Sequence, residues 1–318
     1  MKPTIALFAG DPAGIGPELV ARLLADGTAR ARAKIRLIAS RKVMEEGMRV
    51  AGCRFDLEPL LVPWAGLDAE GFERGVAGAR NGRFMLDGLR TGVDMCRSGK
   101  ADALCFAPLN KAALRAGGMD HPDELHWFQE VLAFDGTCVE LNVLEGLWTS
   151  RVTSHVALAD VSRLLRPEKI AEMVELITES LKRAGVNEPR IAVCGLNPHN
   201  GDGGAYGREE IDIIGPGVEM ARKRGFPADG PYPADTIFVR ATRKTGGYDG
   251  VVTMYHDQGQ IAMKLLGFER GVTVQGGLPM PITTPAHGTA YDIAFQGRAN
   301  ANAMKNAFDL ACGMASVR

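Results

Sequence analysis

Short apolar runs rich in strand-forming residues recur along the chain, at Thr4 to Phe8, Ile35 to Ile38, Ala103 to Phe106, Arg151 to Thr153, Ile191 to Val193 and Val251 to Met254. Between several of them the apolar positions switch to helical spacing. Ile170, Met173, Val174, Ile177 and Leu181 share one face, with Pro167 just before the start and Gly185 beyond the end. A second helix is predicted from Pro17 to about Leu24, with Leu19, Val20, Leu23 and Leu24 turned inward. Strand alternating with helix predicts an α/β fold with a largely parallel sheet, because parallel neighbours need a crossover and a helix supplies it. In such sheets ligands collect at the carboxyl ends of the strands. No internal repeat or long linker interrupts the chain, so a division into lobes is made by the chain crossing over and returning.

Three of the six histidines follow an apolar run and a turn signal. They are His155 in Val-Thr-Ser-His, His199 after Ile191-Ala-Val-Cys-Gly-Leu-Asn-Pro, and His256 after Val251-Val-Thr-Met-Tyr. In a parallel sheet these positions can converge, and three imidazoles with an open coordination position suit a catalytic divalent metal. Each alone reads equally as an isolated surface or core histidine, and no short ligand motif such as HExxH is present. Polar residues that a core would not require surround them: Asp257 and Gln258 follow His256, Lys264 lies further along, and Asp235 sits in Pro233-Ala-Asp-Thr-Ile-Phe. An aspartate or lysine near a bound hydroxyl can serve as general base, whereas Asp235 as a helix cap is the plainer alternative.

Composition narrows the partners. The chain has 318 residues, 46% hydrophobic and 24% charged, with Lys+Arg 37 against Asp+Glu 38 and a formal net charge of -1. A near-neutral chain has no basic field to gather nucleic acid or anionic lipid, so small molecules are the expected partners. The apolar run from Ile5 to Gly10 is too short for a signal peptide, and no stretch approaches the ~18 apolar residues of a membrane span, which gives a cytoplasmic reading. The six cysteines are scattered without CxxC or zinc-finger spacing and read as reduced packing residues.

Glycine is abundant, 39 residues in all, and clustered. Gly10-Asp-Pro-Ala-Gly-Ile-Gly-Pro-Glu follows the first strand and opens a helix, where exposed amides could bind an anion. It has neither dinucleotide-fingerprint spacing nor the lysine of a Walker loop. Gly195-Leu-Asn-Pro-His-Asn-Gly-Asp-Gly-Gly-Ala-Tyr-Gly reads as a binding loop, too polar for packing. The run Ala286-His-Gly-Thr-Ala-Tyr-Asp-Ile-Ala-Phe-Gln-Gly-Arg-Ala-Asn places small residues around His287, Asp292 and Asn300.

Taken in order, Gly10-Asp-Pro-Ala-Gly-Ile-Gly-Pro-Glu, Ala107-Pro-Leu-Asn-Lys, Gly195-Leu-Asn-Pro-His, Pro233-Ala-Asp-Thr, Tyr255-His-Asp-Gln-Gly and His287-Gly-Thr-Ala resemble the 4-hydroxythreonine-4-phosphate dehydrogenase family of vitamin B6 biosynthesis. The last motif is also similar to the cofactor loop of isopropylmalate and isocitrate dehydrogenases, whose two-lobed fold that family shares. The resemblance implies a homodimer with its active site in a cleft between lobes. It implies a divalent metal on His155, His199 and His256, with zinc, cobalt, nickel, magnesium and manganese all open. It also implies NAD bound partly by His287, Gly288, Asp292 and Asn300, with NADP not distinguished. Residues 1–115 with 250–318 would form the cofactor-side lobe, and 116–249 a second lobe contributing metal ligands and the dimer interface. The implied reaction oxidises a hydroxyl β to a carboxylate and then loses carbon dioxide. Asp235 and Lys264 are the candidates for proton transfer, and Lys264 also for holding the substrate's anionic end.

The chain departs from the family pattern where substrate is gripped. Gly-His-Thr-Glu after a proline is replaced by Asp123-Glu-Leu-His126 after Pro122, the family's asparagine falls on Thr273, and its arginine falls on Ile282. Loss of an arginine removes a strong anion contact, and Asp123 and Glu124 would repel an anion in the same pocket. With His126, Thr273 and Ile282 among the substrate-contact candidates, the expected substrate is an unphosphorylated hydroxy-carboxylate. A cis-dihydrodiol carboxylate is one example, as in the terephthalate dihydrodiol dehydrogenase-like branch. Two alternatives stay open: the B6 enzyme itself with a rearranged phosphate site, and a non-catalytic metal- or NAD-binding paralogue.

Overall fold

The structure is a computed structural model that describes residues 2–64 and 72–317. Ten strands are present among them: β1 (Thr4–Phe8), β2 (Lys34–Ile38), β3 (Ala103–Phe106), β4 (Val139–Leu144), β5 (Leu147–Arg151), β6 (Ile191–Cys194), β7 (Ala228–Tyr232), β8 (Gly250–Thr253), β9 (Val272–Gly276) and β10 (Ile282–Pro285). The chain forms two compact units, residues 1–136 with 269–318, and 137–268.

In the first unit the strands run in the order β2-β1-β3-β10-β9. β1, β2, β3 and β10 are parallel and β9 is antiparallel to β10. β1 and β3 are almost wholly buried, as expected of continuous apolar strands covered on both faces. The predicted helix at Pro17 is found as Gly16–Ala25. In the second unit the order is β4-β5-β8-β6-β7. β5, β8, β6 and β7 are mutually parallel, with β4 antiparallel to β5. The helix predicted between Pro167 and Gly185 is found as Pro167–Arg183, with Ile170, Val174, Ile177 and Leu181 buried.

The lobe crossings differ from the sequence expectation in both places. Residues 250–268 stay with the second unit because β8 is hydrogen-bonded between β5 and β6. Residues 116–136 stay with the first, where Phe128 of the helix Glu124–Leu132 packs on Phe106 with ring centroids 6.0 Å apart. The strand expected at Arg151 to Thr153 begins earlier, at Leu147. None of the six cysteines is in a disulfide, and burial pushes the Cys105 thiol up to about 12, in keeping with a packing role there. No helix among the described residues is long and apolar enough to cross a membrane.

Candidate active site

The parallel register of the second unit aligns the ends of four strands. Arg151 pairs with Thr253, Val193 with Val252 and Cys194 with Tyr232, so the segments that follow leave the sheet along one edge. Those segments carry His155, His256, His199 and Asp235. The ladder continues past β5 and β8, with Val152 N donating to Thr253 O at 2.9 Å and Thr153 N to Met254 O at 3.1 Å. The Thr153 hydroxyl adds a bond to Met254 O at 2.8 Å. This stitching brings the His155 and His256 rings to 5.8 Å between centroids.

Neighbouring side chains fix each imidazole. Arg151, 5% exposed, donates to Glu140 Oε2 and to Ser154 Oγ, both at 2.8 Å, and so holds the residue before His155. His256 opens the helix His256–Gly267, and its Nδ1 lies 2.7 Å from Asp257 Oδ1. A carboxylate on Nδ1 orients the ring and commits Nε2 to any further partner. Gln258 joins two strand ends, accepting from Met254 N at 2.7 Å and donating to Gly195 O at 2.9 Å.

His199 sits in a turn of unusual handedness. Residues His199, Asn200, Gly201, Asp202 and Gly203 have φ values of 52°, 60°, 78°, 44° and 66°. Left-handed backbone is costly for residues with a Cβ, so the turn must be held from outside. Glu210, only 4% exposed, holds it. Its Oε1 accepts from Leu196 N and Asn197 N, both at 2.7 Å, and its Oε2 from Asn197 Nδ2 at 3.0 Å. Glu209 accepts from Ser162 Oγ at 2.6 Å and Asn197 Nδ2 at 2.7 Å, bonds that lower its pKa.

The three-histidine metal reading is not met by this arrangement. His155 and His256 form a pair, while the ring of His199 stands against Tyr206, at 6.5 Å between centroids. Among the described residues no group of three His, Cys, Asp or Glu side chains is spaced to hold a metal ion. Asp235 is exposed in the first turn of the helix Ala234–Ala241 and makes no side-chain cap, so the capping alternative falls away. Lys264 is exposed on the same helix as His256, eight residues on, which is about 12 Å of helix rise.

The remaining candidates belong to the first unit. His287 is half-buried, and Gly288, Asp292 and Asn300 are exposed along an irregular segment between β10 and the helix Asn302–Ser316. His287 Nδ1 lies 3.0 Å from Gly288 O, and Asn300 donates to Glu269 at 3.1 Å. Nothing stands within 4 Å of where a side chain on Gly288 would begin. These side-chain types suit a dinucleotide, since ribose hydroxyls can donate to a carboxylate such as Asp292 and an aromatic ring can lie on bare backbone such as that at Gly288.

Two substrate candidates are placed differently from the expectation. Ile282 is 0% exposed in β10, paired with Leu104, and is a core residue that reaches no ligand. Asp123 is 3% exposed and caps the helix Glu124–Leu132, accepting from His126 N at 3.0 Å, with His126 Nδ1 2.6 Å from the same oxygen. Its charge is engaged by the helix end and the imidazole rather than aimed at an anion. Thr273 is half-buried in β9 and His126 is exposed.

The Gly10–Glu18 loop is no anion site. Asp11 is 0% exposed. The amides are consumed internally: Ala13 N by Asp11 Oδ1 at 2.9 Å, Gly14 N by Asp11 O at 3.2 Å and Ile15 N by Thr289 O at 3.1 Å. Gly10 is required, with φ of 74° and no room for a Cβ, which would meet Ala107 O at 2.5 Å.

Comparison with known proteins places this arrangement. A model of the family described as pyridoxal phosphate biosynthetic protein PdxA matches residues 22–311. The chain belongs to the PdxA family. A Pseudomonas aeruginosa protein named "Putative 4-hydroxythreonine-4-phosphate dehydrogenase 2" is 56% identical, over 98% of this chain and 97% of its own. The 4-hydroxythreonine-4-phosphate dehydrogenase structure from Klebsiella pneumoniae is 32% identical with a TM-score of 0.84, covering 99% of this chain and 98% of that one. A terephthalate 1,2-cis-dihydrodioldehydrogenase from Burkholderia xenovorans LB400 is 28% identical with a TM-score of 0.66, covering 94% of each. A β-decarboxylating dehydrogenase from Thermococcus kodakarensis, 15% identical with a TM-score of 0.50 over 95% of this chain and 80% of that one, shares the fold alone. This PdxA family member is thus an oxidoreductase acting on a CH–OH group, on the α/β scaffold its sequence predicts.

Proposed function

We propose that this PdxA family member oxidises a hydroxyl β to a carboxylate with NAD and releases carbon dioxide from the product. The observation that carries the reading is the single sheet edge that gathers His155, His199, His256 and Asp235 in a chain of this family. His287, Gly288, Asp292 and Asn300 are the residues that would hold NAD, which would supply the hydride acceptor for the carbinol carbon. Asp235 takes the hydroxyl proton as the ketone forms. The resulting β-keto acid breaks its bond to the carboxylate, and the electron pair passes to the ketone oxygen as an enolate. Lys264 holds the carboxylate by charge beforehand and returns a proton to the enolate carbon afterwards.

The substrate favoured is a phosphorylated hydroxy acid of the class named for the 56% identical relative. The unphosphorylated reading rested on Ile282 in place of an arginine and on Asp123 and Glu124; Asp123 is a helix cap whose charge is already engaged, while the arginine contact at position 282 stays absent. The likeness to the terephthalate 1,2-cis-dihydrodioldehydrogenase, at 28% identity, keeps the cis-dihydrodiol carboxylate as the comparison substrate. The test is NADH formation by purified protein with 4-phosphohydroxythreonine, an unphosphorylated hydroxy acid and a cis-dihydrodiol carboxylate, with and without added zinc, cobalt, nickel, magnesium or manganese. Carbon dioxide is measured alongside. Preference for the phosphate ester with equimolar carbon dioxide is expected. Preference for an unphosphorylated acid would restore the catabolic reading, and NADH without carbon dioxide would remove the decarboxylation. Homodimerisation, implied by the family likeness, is read from the mass in solution.

A further inference from the structure

The segment from Ala286 to Ala301 contains neither helix nor strand. Its own turns supply three backbone bonds, Ile293 N to Ala290 O at 3.1 Å, Ala294 N to Tyr291 O at 3.4 Å and Gln296 N to Ile293 O at 3.2 Å, and Ala286 N donates to Gly271 O at 2.9 Å. Irregular backbone needs outside groups as well to keep one shape. Several of these come from the opposite end of the chain. Thr289 O accepts from Ile15 N at 3.1 Å, and the Tyr291 hydroxyl donates to Asp11 Oδ2 at 2.5 Å. Ala299 N donates to Glu18 Oε1 at 3.0 Å. Gly297 O accepts from Arg22 at 2.7 Å, and Arg22 is itself bound to Glu18 Oε1 at 3.0 Å. Gly14 must lack a side chain for this contact, since a Cβ there would lie 2.8 Å from Thr289 Cβ.

Asp11 is expensive where it stands, whereas Glu18 is paired with Arg22. Asp11 is 0% and Glu18 2% exposed, and the partners of Asp11 among the described residues are neutral, with Asn81 Nδ2 at 3.4 Å and Ala13 N at 2.9 Å beside Tyr291. A buried carboxylate without a cation is costly, and packing alone would be met better by apolar residues. Burial accordingly raises the Asp11 pKa.

We propose that Asp11 and Glu18 are positioning residues for the cofactor: through Tyr291, Ala299 and Arg22 they fix the backbone of residues 287–300 in the arrangement that presents His287, Gly288, Asp292 and Asn300 to NAD. The proposal rests on the assignment of those four residues to NAD made above. It gives the Gly10–Glu18 motif a task that its spacing hides: the motif touches no phosphate and holds the segment that touches the dinucleotide. Loosening the clamp lowers the fraction of molecules in the binding arrangement, and the apparent affinity falls by that fraction.

Tyr291→Phe removes one hydroxyl and keeps the ring, and Glu18→Gln keeps the shape while weakening the acceptor. NAD affinity is measured by calorimetry, with amide hydrogen exchange across residues 287–300 in the absence of NAD, thermal midpoints, and the KM of each substrate. Each variant is expected to bind NAD about tenfold more weakly, to exchange faster across that segment, and to keep the hydroxy-acid KM. Weakened affinity in His287→Ala without any change in Tyr291→Phe and Glu18→Gln would overturn the clamp alone. Unchanged affinity in His287→Ala would overturn the NAD assignment and the clamp with it. A parallel rise in both KM values with a lowered thermal midpoint would make Asp11 and Glu18 merely structural and overturn the positioning role.

Discussion

Replacing Glu210 by alanine should unlatch the His199 turn while leaving the second unit folded. The left-handed turn places three residues with a Cβ, His199, Asn200 and Asp202, at positive φ. At roughly 1–2 kcal/mol each, the strain is about 3–6 kcal/mol. Against it stand the three hydrogen bonds that Glu210 accepts, from Leu196 N, Asn197 N and Asn197 Nδ2. Bonds to a charged group are worth about 1.5–3 kcal/mol each, so the latch supplies roughly 4.5–9 kcal/mol, comparable to the strain it opposes. Without it the balance tips towards right-handed backbone, and His199 leaves the edge it shares with Asp235. The assay is hydrogen exchange at the Leu196 and Asn197 amides. Protection at those two positions should fall to the level of an open loop. Protection of the β6 amides should persist. Unchanged protection at Leu196 and Asn197 would refute the reasoning, since their only acceptor in this account would be gone.

Three further outcomes follow from local geometry. Asp202→Gly removes a Cβ at φ of 44° on an exposed residue and should stabilise by about 1 kcal/mol, visible as a rise in the chemical denaturation midpoint; a fall would mean that the Asp202 side chain is needed where it stands. Gly10→Ala drives a Cβ to 2.5 Å from Ala107 O at φ of 74° and should cost about 3 kcal/mol or more in the same titration, whereas a loss below about 1 kcal/mol would show that the loop yields. The third concerns pH. Because burial raises the Asp11 pKa above 3.8, the folded state binds that proton more tightly than the unfolded chain. The Asp11 contribution to stability therefore declines as pH rises from about 3.8 through the folded value, and is level above it. Asp11→Asn cannot ionise, so its thermal midpoint should gain on that of the parent over that interval; a constant difference between about pH 3.5 and about pH 7 would contradict the shift.

What the sequence disclosed follows the physics of each signal. Strands buried on both faces are legible because their runs are mainly apolar: β1 and β3 match the predicted runs to the residue, and β8 nearly so. β4 was missed because Glu140 and Asn142 alternate with its buried positions, and β7 because Ala-Asp-Gly-Pro-Tyr carries two breakers, tolerated where a strand has one neighbour. The turn signals after the strands place His155, His199 and His256 at one sheet edge, since parallel register follows from alternation, whereas Asp235 joins them only through β7, the strand the pattern hides. Spacing along the chain says nothing of ring-to-ring distance, so the same signals grouped three imidazoles where the fold pairs two. Residues that act on backbone were illegible for a stronger reason. Glu210 in Arg-Glu-Glu-Ile reads as one more solvated charge, and Asp11 and Tyr291 lie at opposite ends of the sequence. Their meaning resides in which amides they satisfy, and a one-dimensional pattern does not carry that information. Glycine motifs are ambiguous for the same cause: a missing side chain admits a ligand or another stretch of backbone equally well, and at Gly14 the space is taken by Thr289.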